Sequence, residues 1–281
     1  IAMNDQELFE LAQERVRDLH ELQGLGLVTV DGDFFPSVHY PPITMYDRME
    51  PGELLQGYDN PFVDKFSIYL HIPFCEHRCE FCHYPVGLNA SPFRKEQYLD
   101  MLAKEMDNWL AALGLDRFRA RSVLIAGGTP TSLSPELFAR MHSDFAKRVD
   151  LGPCTQLAYD VHPGDLLGPD GAERLRIMRD YGSTRLTIGA QSFDDGILNR
   201  MNRGHSADDV QRAIDACHAA GYDDVCIEFI FGYPGQSYET WMATLHRAIA
   251  SGAEEIQLYR LKVVPYGDFD GVITKRRRLQ D

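Results

Sequence analysis

The sequence predicts an α/β protein built from repeated strand–helix units, and three observations carry that expectation. Six short apolar runs recur after residue 65, alternating with five amphipathic stretches of helical length. Each run is mostly apolar throughout, as in strands of a parallel sheet covered by helices. At 281 residues the chain is long enough for one large domain with a smaller appendage.

Residues 1–60 read as an N-terminal extension with a helical and an irregular part. Leu8, Leu11, Leu19 and Leu22 fall at helical spacing and predict one amphipathic helix over 5–22. Val28-Thr29-Val30, Asp31-Gly32 and Asp33-Phe34-Phe35 read as a short hairpin. Residues 36–61, rich in Pro, Tyr and Gly, are expected to be irregular. The strand–helix domain is expected over 61–267, followed by a tail at 268–281. Its strands are predicted at 66–72, 121–126, 156–161, 184–190, 224–231 and 254–261. Its helices are predicted at 94–113, 135–148, 170–181, 206–220 and 237–251. Ser134 before Pro135, and Ser206 ahead of Asp208-Asp209, are good helix starts. Six units are two short of a closed eight-stranded barrel, so a partly open barrel and a doubly wound sheet both fit. In either, ligand chemistry collects at the C-terminal ends of the strands.

Composition narrows the function. Apolar residues make up 44% and charged residues 25%, which excludes general disorder, collagen-like repeats and a disulfide mini-scaffold. The net charge of −14 argues against a nucleic acid partner, which needs a basic surface. The one basic run, Lys275–Arg278, reads as a solvated end. No apolar run approaches the roughly 18 residues of a membrane span, so no membrane partner is expected. The acidic start does not resemble an export leader, and six cysteines without one suggest a reducing, cytoplasmic location.

Three of those cysteines carry the chemistry. Cys75, Cys79 and Cys82 follow the first strand as C-x3-C-x2-C. Three thiolates on one loop can hold three irons of a [4Fe–4S] cluster and leave the fourth open to an outside ligand. Zinc is the rival, with His77 or His83 as a further ligand, although no second C-x2-C half follows. Gly127 and Gly128 after the second strand form a tight turn or let backbone approach a ligand. Asp160, ending the third strand, is a hydroxyl acceptor or a capping acid. Cys154, Cys217 and Cys226 lack ligand spacing and read as small buried hydrophobes. His162 and His205 are loop histidines able to act as acid or base.

With Phe81 just before its last cysteine, the motif resembles the radical S-adenosylmethionine (SAM) superfamily. Further blocks resemble the branch typified by oxygen-independent coproporphyrinogen III oxidase, which includes haem chaperones and two-SAM methyltransferases. They are Tyr69–Cys75, Gly127–Thr131, Gly189–Phe193, Asn202–Ser206 and Phe231–Gln236, in the family's order. The resemblance implies a partial (β/α)6 barrel with a [4Fe–4S] cluster on Cys75, Cys79 and Cys82. It implies reductive cleavage of SAM to a 5′-deoxyadenosyl radical, at a site involving Tyr69, Phe81, Gly127, Gly128, Thr129 and Asp160. Gln191, Arg203 and Glu228 match positions that help bind a second SAM; an Arg203–Glu228 ion pair is the alternative. Tyr84 stands where the oxidase has a further cysteine, which disfavours oxidative decarboxylation. The expected reaction is modification of a small-molecule carbon, first by methylation with a second SAM, then by oxidative decarboxylation, with haem chaperoning as a third reading. The implied partners are the small-molecule substrate and an electron donor such as flavodoxin or ferredoxin.

Overall fold

A computed structural model describes residues 4–26, 47, 50, 53, 64–82 and 84–261. The hairpin expected at 28–35, the irregular 36–61 stretch apart from three residues, His83 and the tail at 268–281 lie outside the described residues. The chain divides into two units, 1–60 and 61–281. In the first, helix α1 (Asp5–Gly24) is started by a capping box in which Asn4 accepts from the Glu7 amide and the Glu7 side chain returns to Asn4.

The second unit carries the predicted alternation. Its strands are β1 (Phe66–Ile72), β2 (Phe118–Gly127), β3 (Gln156–Val161), β4 (Arg185–Gln191), β5 (Val225–Phe231) and β6 (Glu255–Arg260). Its helices are α2 (Pro92–Leu113), α3 (Pro135–Arg148), α4 (Gly168–Asp180), α5 (Asp195–Arg200), α6 (Ala207–Ala219) and α7 (Tyr238–Ala250). Ser134 and Ser206 cap α3 and α6, the latter with Asp209 in a capping box. The short helix α5 was not foreseen; the Asp194 side chain starts it by accepting from the Ile197 amide.

All six strands pair in parallel, in sequential order from β1 to β6. That order decides between the two arrangements left open by the strand count. A doubly wound sheet reverses direction at a switch point, and this one does not, so the winding is that of a partial barrel. The two-residue strand Val149–Asp150 pairs with the start of β2, and Phe74–Cys75 pairs with Gly87–Leu88 beside the cysteine loop.

Alternate residues of each strand meet different surroundings. Leu70, Ile72, Ile125, Tyr159, Ile188 and Phe229 face the helices in one continuous core. Ser67, Tyr69, Ser122, Asp160, Thr187 and Glu228 alternate with them and face the other way. Cys217 and Cys226 are buried as expected, while Cys154 is partly buried with its thiol on the Gln156 carbonyl. No helix among the described residues is long and apolar enough to cross a membrane.

Candidate functional site

The C-terminal ends of the first four strands and the loops after them border a cavity of about 330 Å³. Its walls include Cys75, Cys79, Cys82, Phe81, Gly127, Gly128, Thr129 and Arg203. These were all picked from sequence, although they come from loops after three different strands.

Each of the three thiols has a hydrogen-bond partner from a different part of the chain. The Thr129 hydroxyl lies 3.5 Å from Cys75 Sγ. Arg203 Nη1 donates to Cys79 Sγ at 3.0 Å, and the Tyr84 backbone bonds Cys82. Burial pushes the Cys75 and Cys82 thiols up, and the Thr129 and Tyr84 bonds oppose that rise. Donors of this kind favour the thiolate, the form that binds metal.

Among the described residues, no group of three or more His, Cys, Asp or Glu converges closely enough to hold a single metal ion. Three thiols from one loop in one cavity are the donor set that three irons of a [4Fe–4S] cluster take. Arg203 lines the cavity, and its Nε is buried without a hydrogen-bond partner. The residues present fit an iron–sulfur cluster on the three thiols, with the Arg203 side chain at the wall beside them.

Arg203 is not ion-paired with Glu228. Its Nη2 donates to the Gly189 carbonyl at 2.6 Å while Nη1 is on Cys79. Gly189 makes this possible by lacking a side chain, since a Cβ there would lie 3.2 Å from Arg203 Nη2 and 3.0 Å from Gln191 Nε2. Gln191 itself has φ +68°, an uncommon conformation for a non-glycine, at a register shift between β4 and β5. Strain of this kind tends to collect at functional sites.

The double glycine has a packing role beside any ligand role. A Cβ on Gly128 would lie 2.7 Å from the Phe74 carbonyl oxygen, and one on Gly127 would lie 2.6 Å from the His71 ring. Gly127 also has φ +117°, where side chains are strained. The Gly128 amide meanwhile bonds the Ile72 carbonyl at 2.8 Å. These glycines therefore fix the start of the cysteine loop against β2.

Tyr69, Asp160, Gln191 and Glu228 do not line this cavity. Tyr69, Asp160 and Glu228 occupy the sheet face turned away from the helices. Burial pushes Asp160 up to about 6, offset by Arg185. Burial and the neighbouring Asp160 charge push Glu228 up to about 7. Tyr259, beside Glu228 on the same face, is raised to about 12 by burial and that carboxylate. His162 lines the cavity and His205 stands behind it; burial lowers both, His205 to about 3.

The sequence profile of the radical SAM superfamily matches residues 69–248. The heme chaperone HemW of Bacillus subtilis (strain 168) is 34% identical over 215 residues, covering 75% of this chain and 54% of that protein. The oxygen-independent coproporphyrinogen III oxidase of Bradyrhizobium diazoefficiens is 25% identical over 202 residues, covering 71% and 43%. Among solved structures, coproporphyrinogen III oxidase from Escherichia coli, described as a radical SAM enzyme, superposes with a TM-score of 0.65 at 22% identity. That superposition covers 76% of this chain and 47% of the other, and it speaks for the fold. The chain spans about half the length of the curated relatives it matches.

Proposed function

The chain belongs to the radical SAM superfamily, and from that premise we propose that it reductively cleaves SAM at a [4Fe–4S] cluster held by Cys75, Cys79 and Cys82, in order to act on a small molecule. The observation that carries this reading is the meeting of three thiols, each with its own hydrogen-bond partner, in one cavity with the double glycine and Arg203. Such a cluster supplies the electron that breaks the sulfonium bond to give methionine and a 5′-deoxyadenosyl radical.

This chain's own residues bind and orient. Cys75, Cys79 and Cys82 ligate; Thr129, Arg203 and the Tyr84 backbone bond to their sulfurs and orient them. The backbone at Gly127 and Gly128 receives the methionyl end of SAM. Tyr69 and Phe81 flank the nucleoside, and Asp160 accepts from the ribose hydroxyls. A small one-electron carrier, a flavodoxin or ferredoxin, supplies the reducing equivalent.

Among substrates, a porphyrin or haem-type molecule is favoured over a methyl acceptor. The likeness to a heme chaperone at 34% identity supports it. Methyl transfer would need Arg203, Gln191 and Glu228 to hold a second SAM, and two nitrogens of the Arg203 fork are already engaged. Oxidative decarboxylation has the relative from Bradyrhizobium diazoefficiens in its favour and Tyr84 against it.

The test is anaerobic reconstitution of the wild-type chain and of Cys79→Ala, followed by iron analysis and product assay with dithionite and SAM. The wild type is expected to bind about four irons and release 5′-deoxyadenosine, and Cys79→Ala to lose both. Full iron content and cleavage in Cys79→Ala would overturn the ligand assignment. S-Adenosylhomocysteine among the products would reinstate methyl transfer, and tight haem binding would support the haem reading.

A further inference from the structure

The cysteine loop is held along its length by a segment more than a hundred residues downstream. The His77 ring rests on Gly204, where a Cβ would lie 2.7 Å from His77 Cδ2. Asn202 Nδ2 donates to the Arg78 carbonyl at 2.9 Å, and Arg203 Nη1 donates to Cys79 Sγ at 3.0 Å. The Glu80 amide donates to the Met201 carbonyl at 3.0 Å. Tyr233 Oη lies 2.9 Å from both the Glu80 carboxylate and the Arg200 carbonyl, so one hydroxyl joins loop and segment. Phe81 then packs against Ile197, Met201, Ile230, Tyr233 and Leu261, a small apolar cluster separate from the main core. From His77 to Glu80 the loop therefore runs against Gly204 to Met201 in opposite directions.

The segment is itself fixed from behind. The Gly164 amide donates to His162 Nδ1 at 3.2 Å, which leaves Nε2 of that ring as the protonated nitrogen. His162 Nε2 then reaches the Arg203 carbonyl at 2.9 Å and His205 Nδ1 at 3.2 Å. His205 Nε2 donates in turn to the Ala190 carbonyl at 3.2 Å. At Asn202 the backbone has φ +56°, a left-handed conformation that asparagine tolerates better than most residues. The chain at 200–204 thus turns away from helical geometry just where its side chain meets the loop.

We infer that residues 200–204 form a preformed clamp that fixes the cysteine loop before any cluster arrives, with Asn202 as its positioning residue. Residues 76–82 have no helix or strand of their own, so ordering them costs conformational entropy that the loop alone does not recover. The clamp meets that cost within the fold, and three thiols then wait at a fixed spacing instead of being gathered by the metal. Asn202 acts one residue away from Cys79, through the Arg78 carbonyl, and touches no cofactor itself. The inference rests on the cluster reading proposed above.

The experiment uses the whole chain with Asn202→Gly and Asn202→Asp. Glycine keeps the left-handed backbone and removes only the side-chain bond; aspartate puts an acceptor where the Arg78 carbonyl needs a donor. Amide hydrogen exchange over 76–82 is measured in the metal-free chain, and iron loss to a chelator in the reconstituted chain. Asn202→Gly should speed both by about fivefold, the size of one net hydrogen bond, and Asn202→Asp by more. Exchange in the strands should stay at the wild-type rate, a separation that a general loss of stability would not give. Wild-type loop exchange in both variants overturns the clamp, and so does a uniform rise along the whole chain. If the wild type takes up no iron, the cluster reading fails while loop exchange in the metal-free chain still decides the clamp.

Discussion

The two faces of the sheet are made by alternate residues of the same strands, yet they obey different rules. Toward the helices, Ile72, Ile125, Ile188 and Phe229 are fully buried in one apolar core. On the opposite face Tyr69 is 54% exposed and Tyr259 49%, and Asp160 and Glu228 sit partly buried with their acids pushed toward neutrality. One face is built by excluding water. The other keeps groups whose placement works against folding of the free chain, which is what a surface reserved for a ligand looks like. On the proposed reading, a sulfonium cation brought to this face would favour the charged form of both carboxylates.

The comparison can be broken most forcefully on the packed side. Phe229→Ala should destabilise the chain by about 3–5 kcal/mol in denaturant unfolding, since it leaves a cavity in the core. A loss below about 1 kcal/mol would mean that the helix-facing side does not hold the fold.

The opposite face sharpens the contrast through pH. Glu228 binds its proton more tightly in the folded chain, with a value of about 7 against the ordinary 4.5. Its contribution to stability is therefore best below about pH 4.5 and falls as pH rises to about 7. The total fall is about 3 kcal/mol. Glu228→Gln should lack this fall and be the more stable chain at pH 8. His142 and His205, both lowered by burial, act in the opposite sense below about pH 6.5. The quantity to measure is thus the difference between variant and wild type at pH 5 and pH 8. A difference that does not grow with pH would remove Glu228 from the argument.

The smallest effect is expected at Tyr259, whose hydroxyl donates to Gln257 Oε1 at 2.6 Å on the exposed end of β6. Tyr259→Phe should change stability by no more than about 0.5 kcal/mol. A loss above about 2 kcal/mol would show that this face carries fold stability after all.

Much of the packed side was legible in the sequence. Strands β1 and β3 lie at the expected 66–72 and 156–161, and the other four are displaced by one to three residues at an end. Their apolar runs report burial directly, so pattern alone locates them. The apolar runs alone left the winding open, because they say which residues are buried and not which strands are neighbours; the partial barrel came from the family resemblance, and the strand order agrees with it. The cysteines were legible because ligand spacing is local. The surroundings of Arg203 were not. Sequence offered Glu228 as its structural partner, while the contacts formed are with Cys79, 124 residues earlier, and the Gly189 carbonyl. The double glycine reads as a tight turn or as a ligand approach, and the structure adds its close approach to residues 73 and 74. No local pattern encodes either contact.

The distance along the chain between the cysteine loop and its clamp has a consequence for biosynthesis. Asn202 and Arg78 meet across 124 residues. At a ribosomal rate of about 5–20 residues per second, the cysteines emerge roughly 6–25 s before the segment that holds them. During that interval the nascent chain presents three thiols on an unsupported loop, open to oxidation or to the wrong metal. On the proposed reading, cluster delivery that waits for β4 and the turn after α5 would meet a finished cradle, so the order of residues along the chain would set the earliest moment for maturation.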